Sequence, residues 1–152
     1  VWASGERGAE VDLGLAMALP SGSGSILAGS TAIQPFAVGG IKVGPVDVLG
    51  DLRYTWAVAG PAAGLELFQA NVAAGYAITP LGRLVSGLTT FLEVNLIQPT
   101  RGAGDLRPQL FVLPGLEVFL PWNLSISAGV QIPIIGPRLI DYRVITFVKW
   151  EF

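Results

Sequence analysis

Along the last fifteen residues, Arg138 to Phe152, the side chains fall into two alternating sets. Ile140, Tyr142, Val144, Thr146, Val148, Trp150 and Phe152 form one, and Leu139, Asp141, Arg143, Ile145, Phe147, Lys149 and Glu151 form the other. A repeat of two is that of an extended strand, whose successive side chains point to opposite faces. One face is therefore apolar and aromatic, and the other carries the charges.

The same alternation recurs upstream. Leu124 to Ile134 sets Leu124, Ile126, Ala128, Val130, Ile132 and Ile134 against Ser125, Ser127, Gly129, Gln131 and Pro133. Leu110 to Leu120 is its partner, with Pro121, Trp122 and Asn123 forming a tight hairpin turn between them. Thr90 to Gln98, Leu67 to Ile78, Val46 to Val58 and Val11 to Leu19 alternate in the same way. Ile26 to Ala37 fits either phase, because its residues are small and Pro35 and Gly39 to Gly40 interrupt it; it is read as a further strand. About eight antiparallel strands result, of the length that tilted membrane strands need.

Where the charges fall gives the pattern its meaning. Asp12, Asp47, Asp51, Arg53, Glu93, Glu117, Asp141, Arg143 and Lys149 all share the polar phase, while Glu66, Arg83, Arg101, Asp105, Arg107 and Arg138 lie in turns or at strand ends. An Arg or Lys facing lipid at the bilayer midplane costs roughly 2–4 kcal/mol, so a membrane barrel keeps its charges inward. The expected fold is all-β, an antiparallel meander closed as a transmembrane β-barrel, with residues 1–152 forming one domain, complete or as the C-terminal part of a larger barrel.

Composition agrees: 51% of residues are apolar and only 13% charged, and the mean hydropathy is +0.59. Membrane helices are the competing explanation, and Leu13 to Ile41 and Val118 to Pro137 are long enough charge-free runs. Pro20 to Ser25 breaks the first, and Pro121, Asn123, Pro133 and Pro137 break the second. Apolar sequence without a helical span leaves a barrel as the way to satisfy the backbone in lipid. With strands alternating in direction and a periplasmic C-terminus, Phe152, Trp150, Trp122 and Tyr76 gather at one interface. Tyr54, Trp56 and Phe68 gather at the other, as two aromatic girdles would.

The chain contains no His and no Cys, which removes Ser-His triads, thiolate metal sites and disulfides. A net charge of -2 offers no basic surface for nucleic acid. The expectation is a protein that is not an enzyme and has no cofactor, no catalytic residue and no metal ligand. The chain begins at Val1 rather than Met, as after removal of a signal peptide or as a piece of a longer polypeptide.

The ending Val148, Lys149, Trp150, Glu151, Phe152 resembles the C-terminal assembly signal of bacterial outer-membrane proteins. The segment Gly129 to Arg138, followed by Asp141, Tyr142, Arg143, Val144 and Ile145, resembles the closing hairpin of the outer-membrane transporter family named for the MetA pathway of phenol degradation. The likeness covers about the last fifty residues, from Pro114 and Gly115 onward. It implies a Gram-negative outer-membrane location, outer-membrane lipid as surroundings, contact with the barrel-assembly machinery through the strand ending at Phe152, and a small-molecule solute.

Asp51, Arg53, Glu93, Glu117, Asp141, Arg143 and Lys149 are the lumen-lining candidates. They allow pairs of Asp51 with Arg53, Asp141 with Arg143, and Lys149 with Glu151 or Glu117. One reading is a salt-bridged plug that holds the barrel interior, and another is a polar lining that selects a solute. Glu93 and Glu117 as an acid-base pair has nothing in its spacing to recommend it. Pro20 to Ser25 and Arg101 to Asp105 read as hairpin loops, not phosphate cradles. The leading function is a porin-like passive transporter of small solutes, including hydrophobic ones. Two alternatives stand beside it: a small closed barrel that is structural and has no pore, and a soluble β-barrel that binds an apolar ligand with Trp150, Tyr142, Tyr54 and Trp56 turned into its cavity.

Overall fold

The computed structural model describes residues 9–20, 27–78, 85–102, 104, 106–136 and 141–150. These contain eight strands: β1 (Ala9–Ala18), β2 (Thr31–Val43), β3 (Val46–Ala59), β4 (Glu66–Ile78), β5 (Gly87–Arg101), β6 (Gln109–Leu120), β7 (Leu124–Ile135) and β8 (Arg143–Trp150). They form one sheet in sequence order, every neighbouring pair antiparallel. The expected all-β antiparallel meander is therefore present. Among the described residues β1 and β8 do not pair, so the two margins of the sheet do not close on each other.

Cross-strand register carries one phase through the whole sheet. Leu52 on β3 faces Ala70 on β4, which faces Leu96 on β5, which faces Leu110 on β6. This face holds Leu13, 81% exposed, Val72, 55% exposed, and Trp150, 62% exposed. The opposite face holds Asp51, Arg53, Glu93, Glu117 and Lys149. The sheet curls around that second face, because residues from β3 to β8 on it line a single cavity. Apart from Glu66 and Arg101 at the strand ends, the charged positions therefore lie on the concave side and the apolar phase on the outside.

The strand expected at Ile26 to Ala37 is displaced, running from Thr31 to Val43. Gly39 and Gly40 are not a break but mid-strand positions, where a Cβ on Gly40 would come 2.8 Å from the Leu49 side chain that covers it. Register settles the undecided phase: Ile33 faces Trp56 and Ile41 faces Val48 on the outside, while Phe36 faces Arg53 and Lys42 faces Asp47 within. Pro35 has no N–H to donate, and no β3 partner stands opposite it between the Ile33 and Phe36 pairs. Pro114 falls in a similar gap between Val112 and Gly115 on the β7 side.

Tight turns fix two hairpins. Val43 pairs with Val46 across Gly44 and Pro45, and Gly44 has a φ of 62°. A positive φ at the first central residue followed by proline is a type II′ turn, whose twist matches that of the flanking strands. Between β6 and β7 the turn falls at Pro121 to Asn123 as expected, with Trp122 and Asn123 both left-handed at φ 65° and 56°. These turns mark one end of the sheet. The β4–β5 connection, residues 79–86, lies at that end too, and the β1–β2, β3–β4, β5–β6 and β7–β8 connections mark the other, here called the loop end.

At the loop end lies a small dry core of Ala32, Ala57, Leu65 and Leu67, with Ala18, Leu27, Ala62 and Leu106 against it. The β3–β4 connection folds over this core and touches the β1–β2 connection. The Ala62 amide donates to Ser30 Oγ at 2.9 Å. A Cβ on Gly60, whose φ is 93°, would come 2.5 Å from the Gly29 carbonyl oxygen, so only glycine allows this approach.

Candidate functional site

The concave face has three zones, the first built with help from the connections and the other two positioned by strand register. At the loop end is the dry core just described. In the middle, Thr55 accepts a hydrogen bond from Gln34 Nε2 at 3.1 Å. Beside it, Arg53 Nη2 donates to Asp51 Oδ2 at 3.4 Å, and Asn71 Nδ2 donates to Asp51 Oδ1 at the same distance. The Arg53 guanidinium also lies 5.8 Å from the centre of the Phe36 ring, while its buried Nε has no hydrogen-bond partner. This belt is the expected Asp51 and Arg53 pair, joined by neighbours from β2 and β4.

The third zone, at the tight-turn end, is a cavity of about 460 Å³. Its charged lining is Asp47 from β3, Glu93 from β5, Glu117 from β6 and Lys149 from β8. Phe91, Phe119 and Phe147 supply its rings, and Thr89 and Ser127 supply hydroxyls. Phe91 stands opposite Gly115, where a Cβ would come 2.3 Å from the ring's Cζ, so the missing side chain is what seats the ring. Asp47 is held by Lys42 Nζ at 3.9 Å. Among the described residues neither Glu93 nor Glu117 forms an ion pair.

Of the seven residues expected to line a lumen, Glu93, Glu117 and Lys149 meet at the cavity, and Asp51 and Arg53 form the belt beside it. Asp141 lies just before β8 and Arg143 opens it; both are exposed and outside the cavity lining, and they form no ion pair with each other. Arg143 faces Gln131 across the β7–β8 ladder. Glu151 and Phe152 lie outside the described residues. So do residues 21–26, which cover most of the expected Pro20 to Ser25 loop, and Ala103 and Asp105 of the loop expected at Arg101 to Asp105.

Phe91 and Phe119 were hidden by their own chemistry, since aromatic residues in a greasy strand read as outward-facing. Their odd-numbered positions, shared with Glu93 and Glu117, are the signal that places them inside. A second polar cluster lies on the outer face at the loop end. Tyr54 Oη donates to Glu66, and Arg101 Nη1 lies 3.8 Å from Glu66 Oε1.

Among the described residues no group of His, Cys, Asp and Glu could hold a metal ion, and no helix is long and apolar enough to cross a membrane, which leaves strands unaddressed. Compared with protein-family models, curated proteins and solved structures, the chain finds no match.

Proposed function

We propose that this chain forms a transmembrane β-barrel of a bacterial outer membrane and lets small solutes pass passively along its polar inner face. The observation that carries this reading is the exposed apolar outer face, continuous from Leu13 on β1 to Trp150 on β8. The buried apolar residues among those described, by contrast, are few: Ala32, Ala57, Leu65, Leu67 and Leu113. A soluble domain would bury the larger set, because exposed apolar patches of this extent drive association.

Connection lengths lean the same way. At one end residues 44–45 and 121–123 make tight turns and 79–86 a longer connection, while at the other 60–65, 102–108, 136–142 and 19–30 run from six to twelve residues, with no two- or three-residue turn. Outer-membrane barrels have short periplasmic turns and longer extracellular loops. The tight-turn end, with its Tyr76, Trp122 and Trp150, is then periplasmic, and the loop end with Tyr54, Trp56 and Phe68 is external.

In lipid an unpaired sheet edge leaves backbone groups unsatisfied, each costing several kcal/mol. The margins β1 and β8 are therefore paired in the membrane, by each other or by strands beyond those described. The likeness of the closing hairpin to the phenol-degradation transporter family belongs to this proposal. The soluble ligand-binding alternative places Trp56 and Trp150 inside; they are exposed, and the cavity opens on the other face.

One observation favours a second reading, a structural barrel without a pore. A dry core under the β1–β2 and β3–β4 connections occupies part of the concave face at the loop end. Liposome swelling separates the two. Uptake of small sugars or amino acids by liposomes carrying the full chain supports passage, and swelling no faster than that of empty liposomes sinks it.

A further inference from the structure

We propose that the cavity at the tight-turn end binds small organic cations with an apolar, ring-bearing body, of which phenethylammonium is the simplest probe. The proposal rests on the solute-passage reading for its biological purpose, while the binding itself is measurable without transport.

Size comes first. A volume of about 460 Å³ lies within the range of roughly 300–1,000 Å³ typical of small-molecule sites. The lining then divides by chemistry into an apolar part, Phe91, Phe119, Phe147, Leu49 and Leu113, and an acidic part, Asp47, Glu93 and Glu117.

Charge balance decides the sign of the ligand. Lys42 already answers Asp47, and among the described residues Lys149 is the one cation in the lining. Glu93 and Glu117 are half-buried and, among the described residues, lack an ion-pair partner. A carboxylate removed from water without a counter-charge is costly, and a bound ammonium supplies that counter-charge. The proposed anchors are thus already turned toward the space a ligand would fill.

Register also places the ring between the anchors. Glu93 faces Leu113 and Glu117 faces Thr89, with Phe91 and its Gly115 seat midway along the same two strands. An ammonium held by either glutamate therefore carries its apolar body across the Phe91 ring. Aromatic faces attract cations as well as apolar groups, so the rings oppose neither half of such a ligand. An anion of the same shape meets the glutamates with like charge.

The test uses the full chain folded in detergent micelles and calorimetric titration against three probes of matched shape: phenethylammonium, 2-phenylethanol and phenylacetate. Partition into protein-free micelles is subtracted. Phenethylammonium is expected to bind about tenfold tighter than the alcohol, the scale of a charge-assisted hydrogen bond, with phenylacetate weakest. The double variant Glu93→Gln with Glu117→Gln loses that preference, whereas the exposed Glu10→Gln keeps it. On the unaltered chain, added salt weakens the ammonium and leaves the alcohol unchanged, which is a readout independent of whether the double variant folds.

Alcohol binding equal to that of the ammonium, or a cation preference that salt does not diminish, overturns the proposal. Liposome swelling keeps it apart from the transport reading. Cation-selective binding without permeation of any solute removes passage and leaves the site standing. Permeation without cation preference in the titration removes the site and leaves passage standing.

Discussion

Arg53 on β3 and Phe36 on β2 face each other across the ladder, the guanidinium 5.8 Å from the ring centre. The ring that receives Arg53 also covers Gly14 on β1, where a Cβ would lie 2.3 Å from Phe36 Cζ. Three strands are tied through one side chain. Phe36→Leu keeps an apolar cover over Gly14 but removes the ring face, which should cost about 0.5–1 kcal/mol. A double-mutant cycle with Arg53→Met, followed by chemical unfolding in micelles, should return a coupling of that size. Strictly additive costs would mean that Arg53 and the ring do not interact.

The outer face yields the sharpest test of the membrane proposal. Val72 lies mid-strand on β4 and is 55% exposed. In water, Val72→Arg changes stability by no more than about 0.5 kcal/mol, as at most surface sites. In a bilayer the same change costs roughly 2–4 kcal/mol, and arginines nearer the sheet ends cost less. Unfolding titrations in lipid vesicles on arginine variants of Val72, Leu52 and Leu116 should show that depth dependence. A flat, small effect at all three would remove the lipid-facing assignment.

The dry core at the loop end is open to a paired measurement. Leu67 is 2% exposed and packed on Ala32 and Ala57, so Leu67→Ala should cost about 2–5 kcal/mol. If solutes pass through this region, the same truncation should raise single-channel conductance. Loss of stability with unchanged conductance would support the structural barrel instead.

The β6–β7 turn stores its strain in residues that are not glycine. Asn123 has a φ of 56°, a conformation asparagine tolerates better than most residues. Asn123→Ala should destabilise the hairpin by about 1 kcal/mol, and Asn123→Gly should be neutral or stabilising. Thermal or denaturant unfolding of the two variants side by side provides the check.

Much of this architecture was legible before any coordinates, for a reason that particular strands make plain. Val46 to Val58 and Leu124 to Ile134 alternate between bulky apolar and polar residues, and a sheet with chemically different faces cannot hide its phase. β2 could not be read that way. Ala32, Val38, Gly39 and Gly40 sit comfortably on either side, and only contacts with β3, from Gln34 to Thr55 and from Lys42 to Asp47, assign them. The loop-end core was illegible for a different reason: Leu27, Ala62 and Leu65 belong to connections, where no period exists to reveal an inward turn. The Asp51 and Arg53 pair was readable because its members are two apart on one strand. The cavity was only half readable, because its rings come from strands whose aromatics resemble girdle residues.

The Gly44 and Pro45 turn has a consequence for how this chain tolerates change. Much of β2 is small and fits either side, so its orientation is dictated chiefly by the two-residue link that binds it to the strongly marked β3. Sliding the hairpin by one position would turn Lys42 toward the greasy side and bring Ile33 and Ile41 among the ions. Drift within β2 is therefore cheap while the link holds. A single lengthening of that link would scramble a strand in which only Ile33, Ile41 and Lys42 resist the slip.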